Sequence, residues 1–521
     1  MRRRSLITAA AALPLARPAL AQDTRARTLR FVPQASLAAL DPIAVIATIT
    51  TTHGFCVFDT LYATDRALNP HPQMAAGHEV SADGLLWTIR LRDGLRFHDG
   101  SPVTSRDCVA SLRRWAARDT FGAILARAVA EWGTPDDRTL AIRLTRPFPA
   151  MLTALSKPAG VPPFVMPARI ATATPPDRPI TEVVGSGPWR FVPAEYVSGS
   201  RVVYARNEAY VPRDEPADGA SGGKRVHFDR MEWHILPDGA TAAAALQRGE
   251  VDWVEYPLPD LVPLLGRDRN LRTQVYDPLG FLGAMRFNHL HAPFNNIEAR
   301  RAVRDLISQS DHMASVSMEG DWRECRAMFP CTIPGVTDFP RAARSEAECR
   351  EAVRAAGLAG AKVVIINPTD FAAIAPQGRL VADVCKRLGF DVDLVETDWT
   401  AVLARRNSKA APAQGGWSIH PTNFPAASIA NPALNFATRG NGEGAWFGWP
   451  TDAAAEAAVA RWLDAPDATA QSAAFADLQR AAWDSVPFAP TGLFVLRTAF
   501  RADLRDVLQG PNPYLWNLRR A

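Results

Sequence analysis

Residues 362–396 constrain the fold of this chain more than any other stretch. Lys362-Val363-Val364-Ile365-Ile366-Asn367 is a continuous apolar run bounded by Pro368. A segment of helical period follows from Phe371 to Leu388, and Asp391 to Glu396 reads as a second strand. A strand, a helix and a strand in this order give a parallel pair, because the helix carries the chain back to the starting end. That unit is the mark of an α/β lobe.

The rest of the chain is punctuated differently. Pro (42) and Gly (33) recur throughout, which favours many short elements over long helices. Residues 29–33 read as a strand. Residues 86–92 and 139–144 alternate apolar and polar, the pattern of half-buried strands. Asp93-Gly94 and His98-Asp99-Gly100 are turn signals around Leu95 to Phe97. Thr104 is an N-cap for a helix to Arg114, with Val109, Leu112 and Trp115 on one face. The Gly/Ser/Asp-rich stretch 213–224 reads as an exposed, flexible loop. Residues 452–486 are Ala-rich and helical, with Trp462 and Leu478 as core candidates. A length of 521 residues suggests about two to four domains, and no internal repeat is present.

The first 21 residues read as an address. Arg2, Arg3 and Arg4 precede an apolar stretch from Leu6 to Ala16, and Ala19-Leu20-Ala21 puts small residues where a signal peptidase reads. Cleavage is expected between Ala21 and Gln22. Arg3-Arg4-Ser5-Leu6-Ile7 also resembles a twin-arginine signal, and an ordinary Sec signal stands beside it as the alternative. The apolar run is shorter than the roughly 20 residues that span a bilayer, and Gln22 is not a lipidated Cys. The mature protein is therefore expected outside the cytoplasm, in a periplasm. The charge agrees. The chain carries +4, and without the four leader arginines 54 basic residues face 54 acidic ones. Only five of the basic residues are Lys, and the Arg are scattered. No strongly basic surface argues for nucleic acid or anionic lipid.

Six cysteines fit an oxidising compartment without forming a scaffold. Cys325 and Cys331 could close a short disulfide loop, with Cys349 a competitor and free thiols the alternative. Cys56, Cys108 and Cys385 look like buried small residues. No catalytic apparatus assembles: there is no nucleophile elbow, no His-Glu-x-x-His and no phosphate loop. Gly185-Ser186-Gly187-Pro188 lacks the Lys that a phosphate loop needs and reads as a tight turn. His98-Asp99 sits in a hairpin turn, and His289-x-His291 has no carboxylates near it in sequence. No cofactor or metal is expected. Fourteen Trp are many, and most of them are expected in the core.

Several ordered motifs resemble the family 5 solute-binding proteins of ABC importers, which include dipeptide-, oligopeptide- and nickel-binding receptors. Leu40-Asp41-Pro42 follows the first strand. Residues 83–104, from Asp83-Gly84-Leu85 to Pro102-Val103-Thr104, carry the most specific signature. Then come Gly185-Ser186-Gly187-Pro188-Trp189, Arg206-Asn207-Glu208-Ala209-Tyr210 and Leu246-Gln247-Arg248-Gly249-Glu250-Val251-Asp252. Arg286-Phe287-Asn288, Pro293-Phe294 and Arg300-Arg301-Ala302-Val303 complete the series. The resemblance implies an α/β, bilobed periplasmic-binding-protein clamshell of type II in its large three-domain variant. Domain I would be 22–62, 183–278 and 493–521, domain II 63–182, and domain III 279–492. Gly492 to Arg501 would be the return strand through the hinge. It implies a receptor that is not an enzyme. Such a receptor captures a peptide or peptide-like solute between its lobes and hands it to ABC permease subunits, and it is expected to be a monomer without nucleic-acid partners.

Many peptide-binding members carry an Asp a little after a Gly-Trp pair, which meets the peptide's amino group. Here Gly416-Trp417 is followed by Ser418-Ile419-His420-Pro421-Thr422-Asn423, and no acid occurs from Gly415 to Gly442. A buried ammonium without a carboxylate partner is costly, by several kcal/mol in rough terms. Trp417 is the expected pocket wall, with His420, Asn423 and Arg439 as polar ligand-binding candidates and Trp446, Phe447 and Trp449 as an aromatic turn. An opine, a sugar or a metal chelate stands as the alternative to a peptide. Further away stand a receptor or chaperone without a transport role and an exported hydrolase.

Overall fold

The computed structural model describes residues 26–341, 344–371 and 373–521. The expected leader, with its Ala21–Gln22 junction, lies outside the described residues.

Thr28–Val32 lies inside a seven-stranded sheet. It pairs in parallel with Arg230–His234 and with Trp253–Val254. The sheet order is Trp189–Phe191, Arg201–Arg206, Arg230–His234, Thr28–Val32, Trp253–Val254, Arg497–Arg501, Leu271–Val275. Phe31 packs edge-on against Trp233 (5.8 Å) and Trp253 (5.1 Å), so three aromatic residues lock the neighbouring strands.

The strand–helix–strand unit builds a second sheet. Lys362–Pro368 runs parallel to Asp391–Thr397, with Lys362 opposite Asp391 and Pro368 opposite Thr397. The linking helix is Ala375–Arg387, four residues shorter at its start than the periodicity predicts. Pro376 sits in its first turn, where a missing N–H costs nothing. Val363 and Ile365 pack with Val381 and Cys385, while Ile366 faces Trp417 and Val402 on the other side. Burial on both faces explains why this strand reads as unbroken apolar sequence. The order of the six strands is Trp322–Arg323, Phe488–Phe494, Phe281–Phe287, Ile419–Pro425, Lys362–Pro368, Asp391–Thr397.

The chain passes between these sheets twice. Leu271–Val275 belongs to the first and Phe281–Phe287 to the second. Phe488–Phe494 belongs to the second and Arg497–Arg501 to the first, so the return is made at residues 495–496. Arg497 is tied to Asp321 by two hydrogen bonds, 2.6 and 2.7 Å, at that point.

A third, antiparallel sheet holds Ala75–Val80, Leu86–Leu91, Thr139–Leu144 and Val129–Asp136. Helix Ser105–Ala116 covers it, and its start is fixed by a capping box in which the Thr104 N–H donates to Asp107 at 2.8 Å. His98 is structural. Its N–H donates to the Gly185 carbonyl (2.8 Å) and its ring meets the Gly187 carbonyl (3.1 Å), so the signature turn is stitched to the Gly-Ser-Gly turn. A Cβ on Gly185 would lie 2.0 Å from the Val57 carbonyl oxygen and one on Gly187 2.6 Å from that of Cys56. Those glycines serve close backbone approach.

One expectation needs correction. Residues 213–224 are not an exposed loop throughout, since 219–224 are buried. Lys224 Nζ donates to Asp59 Oδ1 at 2.8 Å, with both side chains almost wholly enclosed, and lies 4.9 Å over the Trp516 ring. A Cβ on Gly222 would lie 2.2 Å from the Pro216 carbonyl oxygen and one on Gly223 2.5 Å from that of Arg213. The small residues mark tight packing, which composition alone does not separate from flexibility. Residues 452–486 form two helices, Ala453–Leu463 and Ala468–Ser485, each N-capped by an Asp, at 452 and 467. Pro466 stands at the break, where Asp464 pairs with Arg146 of the segment that follows Thr139–Leu144.

Candidate ligand-binding site

Open α/β sheets take ligands in the crevice beyond the carboxyl ends of their parallel strands. In the first sheet those ends are Val32, His234 and Val254. Just past them lie Gln34 and Glu255, whose Oε2 accepts the Gln34 N–H at 2.8 Å. Tyr276, at the first crossing, donates its hydroxyl to Glu255 Oε1 at 3.3 Å. Burial pushes the Glu255 carboxyl up to about 7. In the second sheet the ends are Pro368, Thr397 and Pro425. Just past the first two lie Phe371, which is exposed, and Trp399, which is half-buried, with ring centroids 5.3 Å apart.

His420 sits on Ile419–Pro425 opposite Arg286. The rings of Trp399, Trp417 and Trp446 surround it at 6.0, 6.2 and 6.4 Å. It is fully buried, and neither ring nitrogen has a hydrogen-bond partner among the described residues. Burial, followed by the charges of Arg406 and Arg286, pulls its pKa down to about 3, so the ring is neutral. Arg286 is spent on carbonyls of Ala437 (2.7 Å), Phe447 (2.6 Å), Pro487 (3.2 Å) and Trp446 (3.3 Å). Arg406 is different. Its guanidinium lies 4.4 Å over Phe447 and 5.7 Å over Trp446, and its buried Nε has no partner among the described residues.

The other candidates are already engaged. Arg439 forks onto Glu456 through two hydrogen bonds of 2.8 and 2.6 Å, and Glu456 also takes the Gly440 N–H. That guanidinium holds a loop to helix Ala453–Leu463 and is not free for a solute. Asn423 donates to the Ala373 carbonyl (3.0 Å) and accepts from Gln377 (3.1 Å), which also holds Thr491. It positions the start of helix Ala375–Arg387. Trp417 is fully enclosed among Ile366, Val402 and Trp449, and its indole N–H donates to the Arg406 carbonyl at 3.1 Å. It is a floor beneath His420 and a link to Arg406, not an exposed wall.

The aromatic turn divides in the same way. Trp446 and Phe447 are half-buried beside Arg406, whereas Trp449 is buried next to Trp417. Two residues outside the candidate set stand with His420: Trp399, 6.0 Å away ring to ring, and Arg406, whose charge acts on it. Trp399 stands just beyond the strand Asp391–Thr397 and opens the helix Trp399–Arg405 that Arg406 caps, so the strand's carboxyl end was the available signal.

Other flagged groups are structural. Cys325 and Cys331 are disulfide-bonded, and Cys56, Cys108, Cys349 and Cys385 are buried free thiols. The rings of His289 and His291 meet the carbonyls of Pro487 (3.4 Å) and Lys409 (2.9 Å). No cluster of metal-ligating side chains occurs among the described residues.

Comparison with known proteins agrees with this architecture. Residues 69–434 match the family described as bacterial extracellular solute-binding proteins, family 5 Middle. A probable peptide ABC transporter periplasmic-binding protein of Sinorhizobium fredii is 36% identical over 513 residues, covering 97% of this chain and 95% of that one. Among solved structures, the binding protein AgaA in complex with agropinic acid, from A. tumefacien R10, superposes with a TM-score of 0.78 at 18% identity. That match covers 95% of this chain and 99% of the other. A dipeptide-binding protein from Pseudoalteromonas sp. SM9913 with bound Met-Leu gives 0.78 at 16% identity, over 95% and 100%. At these identities the two structures speak for the bilobed fold alone.

Proposed function

The chain belongs to family 5 of the bacterial extracellular solute-binding proteins, and from that premise we propose that it captures a peptide or peptide-like solute between two lobes for an ABC importer. The family consists of solute-binding receptors rather than enzymes, and its members are exported. The observation that carries the reading is the double passage of the chain between two α/β sheets at residues 276–280 and 495–496. Two connections make a hinge, and hinge closure around a solute needs no covalent chemistry. We draw domain I as 22–62, 183–278 and 493–521, domain II as 63–182 and domain III as 279–492. The return lies two residues later than that last boundary. A cleaved leader at residues 1–21, a periplasmic location and a monomeric receptor belong to the same proposal.

Closure expels water from the crevice, so a few fixed polar groups and aromatic faces discriminate between solutes. The test is native mass spectrometry of protein purified from the periplasm, followed by thermal shifts with identified solutes. A solute at 100 times its Kd adds roughly 2.7 kcal/mol. Recovery of no bound small molecule, together with no shift from any peptide, opine, sugar or nickel chelate, would sink the receptor reading.

A further inference from the structure

Charge around His420 is of one sign, and we propose that the captured solute presents an anionic oxygen group, carboxylate or phosphate, to His420 and Arg406. Its apolar part would lie against Trp399 and Trp446. This names the solute class for the site above and rests on the receptor reading.

Both nitrogens of a fully buried imidazole stand without a partner among the described residues, and so does the buried Nε of Arg406. Buried polar atoms are normally paired, so these open atoms await a partner from outside the chain. The charged groups that act on His420 are Arg406 and Arg286, both cations. The nearby carboxylates are engaged: Asp370 takes the Trp399 N–H (2.8 Å), Asp398 the Ala401 N–H (3.0 Å) and Glu456 both Arg439 and Gly440. Glu443 is exposed and faces Lys409. An ammonium delivered to His420 would meet two cations and, among the described residues, no unengaged carboxylate. An anion would gain a charge-assisted hydrogen bond from Arg406 and an N–H from the neutral ring. Stacking on Phe447 fixes the guanidinium plane, which leaves less to be ordered on binding. Trp399, half-buried against the exposed Phe371, puts a ring 6.0 Å from His420 for the solute's apolar part.

The test uses the mature chain and four probes by calorimetry: N-acetyl-Ala-Phe (anion only), Ala-Phe (zwitterion), Ala-Phe amide (cation only) and phenyl phosphate. Alongside it, native mass spectrometry identifies any co-purified solute. N-acetyl-Ala-Phe or phenyl phosphate should bind at least tenfold more tightly than Ala-Phe amide, and which of the two binds separates carboxylate from phosphate. Arg406→Gln should weaken that anion tenfold or more, with the melting temperature unchanged. His420→Asp should reverse the preference towards the amide. Equal or tighter binding of the amide by the unaltered chain overturns the proposal. So does a co-purified solute without an acidic group, even though the receptor reading would then stand. If no probe binds but an acidic solute co-purifies, the proposal holds. If none binds and nothing co-purifies, the receptor reading falls and this proposal with it.

Discussion

Glu255 offers a stability test whose sign follows from its surroundings. Its carboxyl is enclosed past the end of Trp253–Val254, accepting from the Gln34 N–H and the Tyr276 hydroxyl. Burial outweighs those two bonds and raises it from 4.5 to about 7. Below 4.5 the group is protonated in both folded and unfolded chains and contributes no pH dependence. Between 4.5 and about 7 the unfolded chain has released the proton that the fold retains, so stability falls as pH rises. Above about 7 the loss is complete. At ~1.36 kcal/mol per pH unit, that gap corresponds to about 3 kcal/mol as an upper value. Glu255→Gln keeps an oxygen for Gln34 and an amide for the Tyr276 oxygen, but cannot ionise. Calorimetric unfolding of both proteins should give similar stabilities at about pH 5, and at about pH 8.5 the variant should be more stable by up to ~3 kcal/mol. Asp277, also raised to about 7 by burial, and the buried His53 and His420, lowered to about 3, titrate alike in both proteins and cancel in the difference. A constant difference across that range would refute the claim that Glu255 is buried at the cost of its charge.

Three further outcomes follow from the packing. Arg439→Ala should leave solute affinity within about twofold while lowering stability by about 1 kcal/mol, because the guanidinium serves Glu456. A tenfold loss by calorimetric titration would return Arg439 to the site. Lys224→Met strands the enclosed Asp59 and should cost about 3–5 kcal/mol in urea unfolding, with Asp59→Asn added to it recovering most of the loss. Gly185→Ala forces a Cβ to 2.0 Å from the Val57 carbonyl oxygen and should cost about 1–3 kcal/mol or more. Gly77→Ala meets nothing within 4 Å and should be close to neutral by the same assay.

The second sheet's strand–helix–strand unit was legible because its periods change cleanly. Apolar residues run unbroken through Lys362–Pro368, recur at helical spacing through Ala375–Arg387, and stop at turns. The antiparallel strands at 86–91 and 139–144 were legible because one face is wet, so polar residues alternate. Residues 219–224 were not, since a glycine chosen for close approach and one chosen for flexibility look the same in one dimension. Lys224 shows the difference only when Asp59, far away in sequence, is beside it.

The candidate site follows the same rule for charge. Arg439 and Arg406 are equivalent as letters, yet the stretch after the Gly-Trp pair draws attention to Arg439 alone. What separates them is pairing. Arg439 meets Glu456 from a helix 14 residues further on, where a sequence window on residues 415–442 never looks. Arg406 lies over Phe447 and Trp446 with no carboxylate on it among the described residues, at the end of the helix Trp399–Arg405 that starts just past a parallel strand. The absence of an acid from Gly415 to Gly442 was visible in the sequence, but its meaning was not. Only when strand pairing sets His420 opposite Arg286, and the fold brings the charge of Arg406 to bear on it, does a missing carboxylate leave two cations about a neutral ring. Selectivity in such a crevice is decided by which charges remain unspent after folding, and those are fixed by contacts between residues distant in the chain.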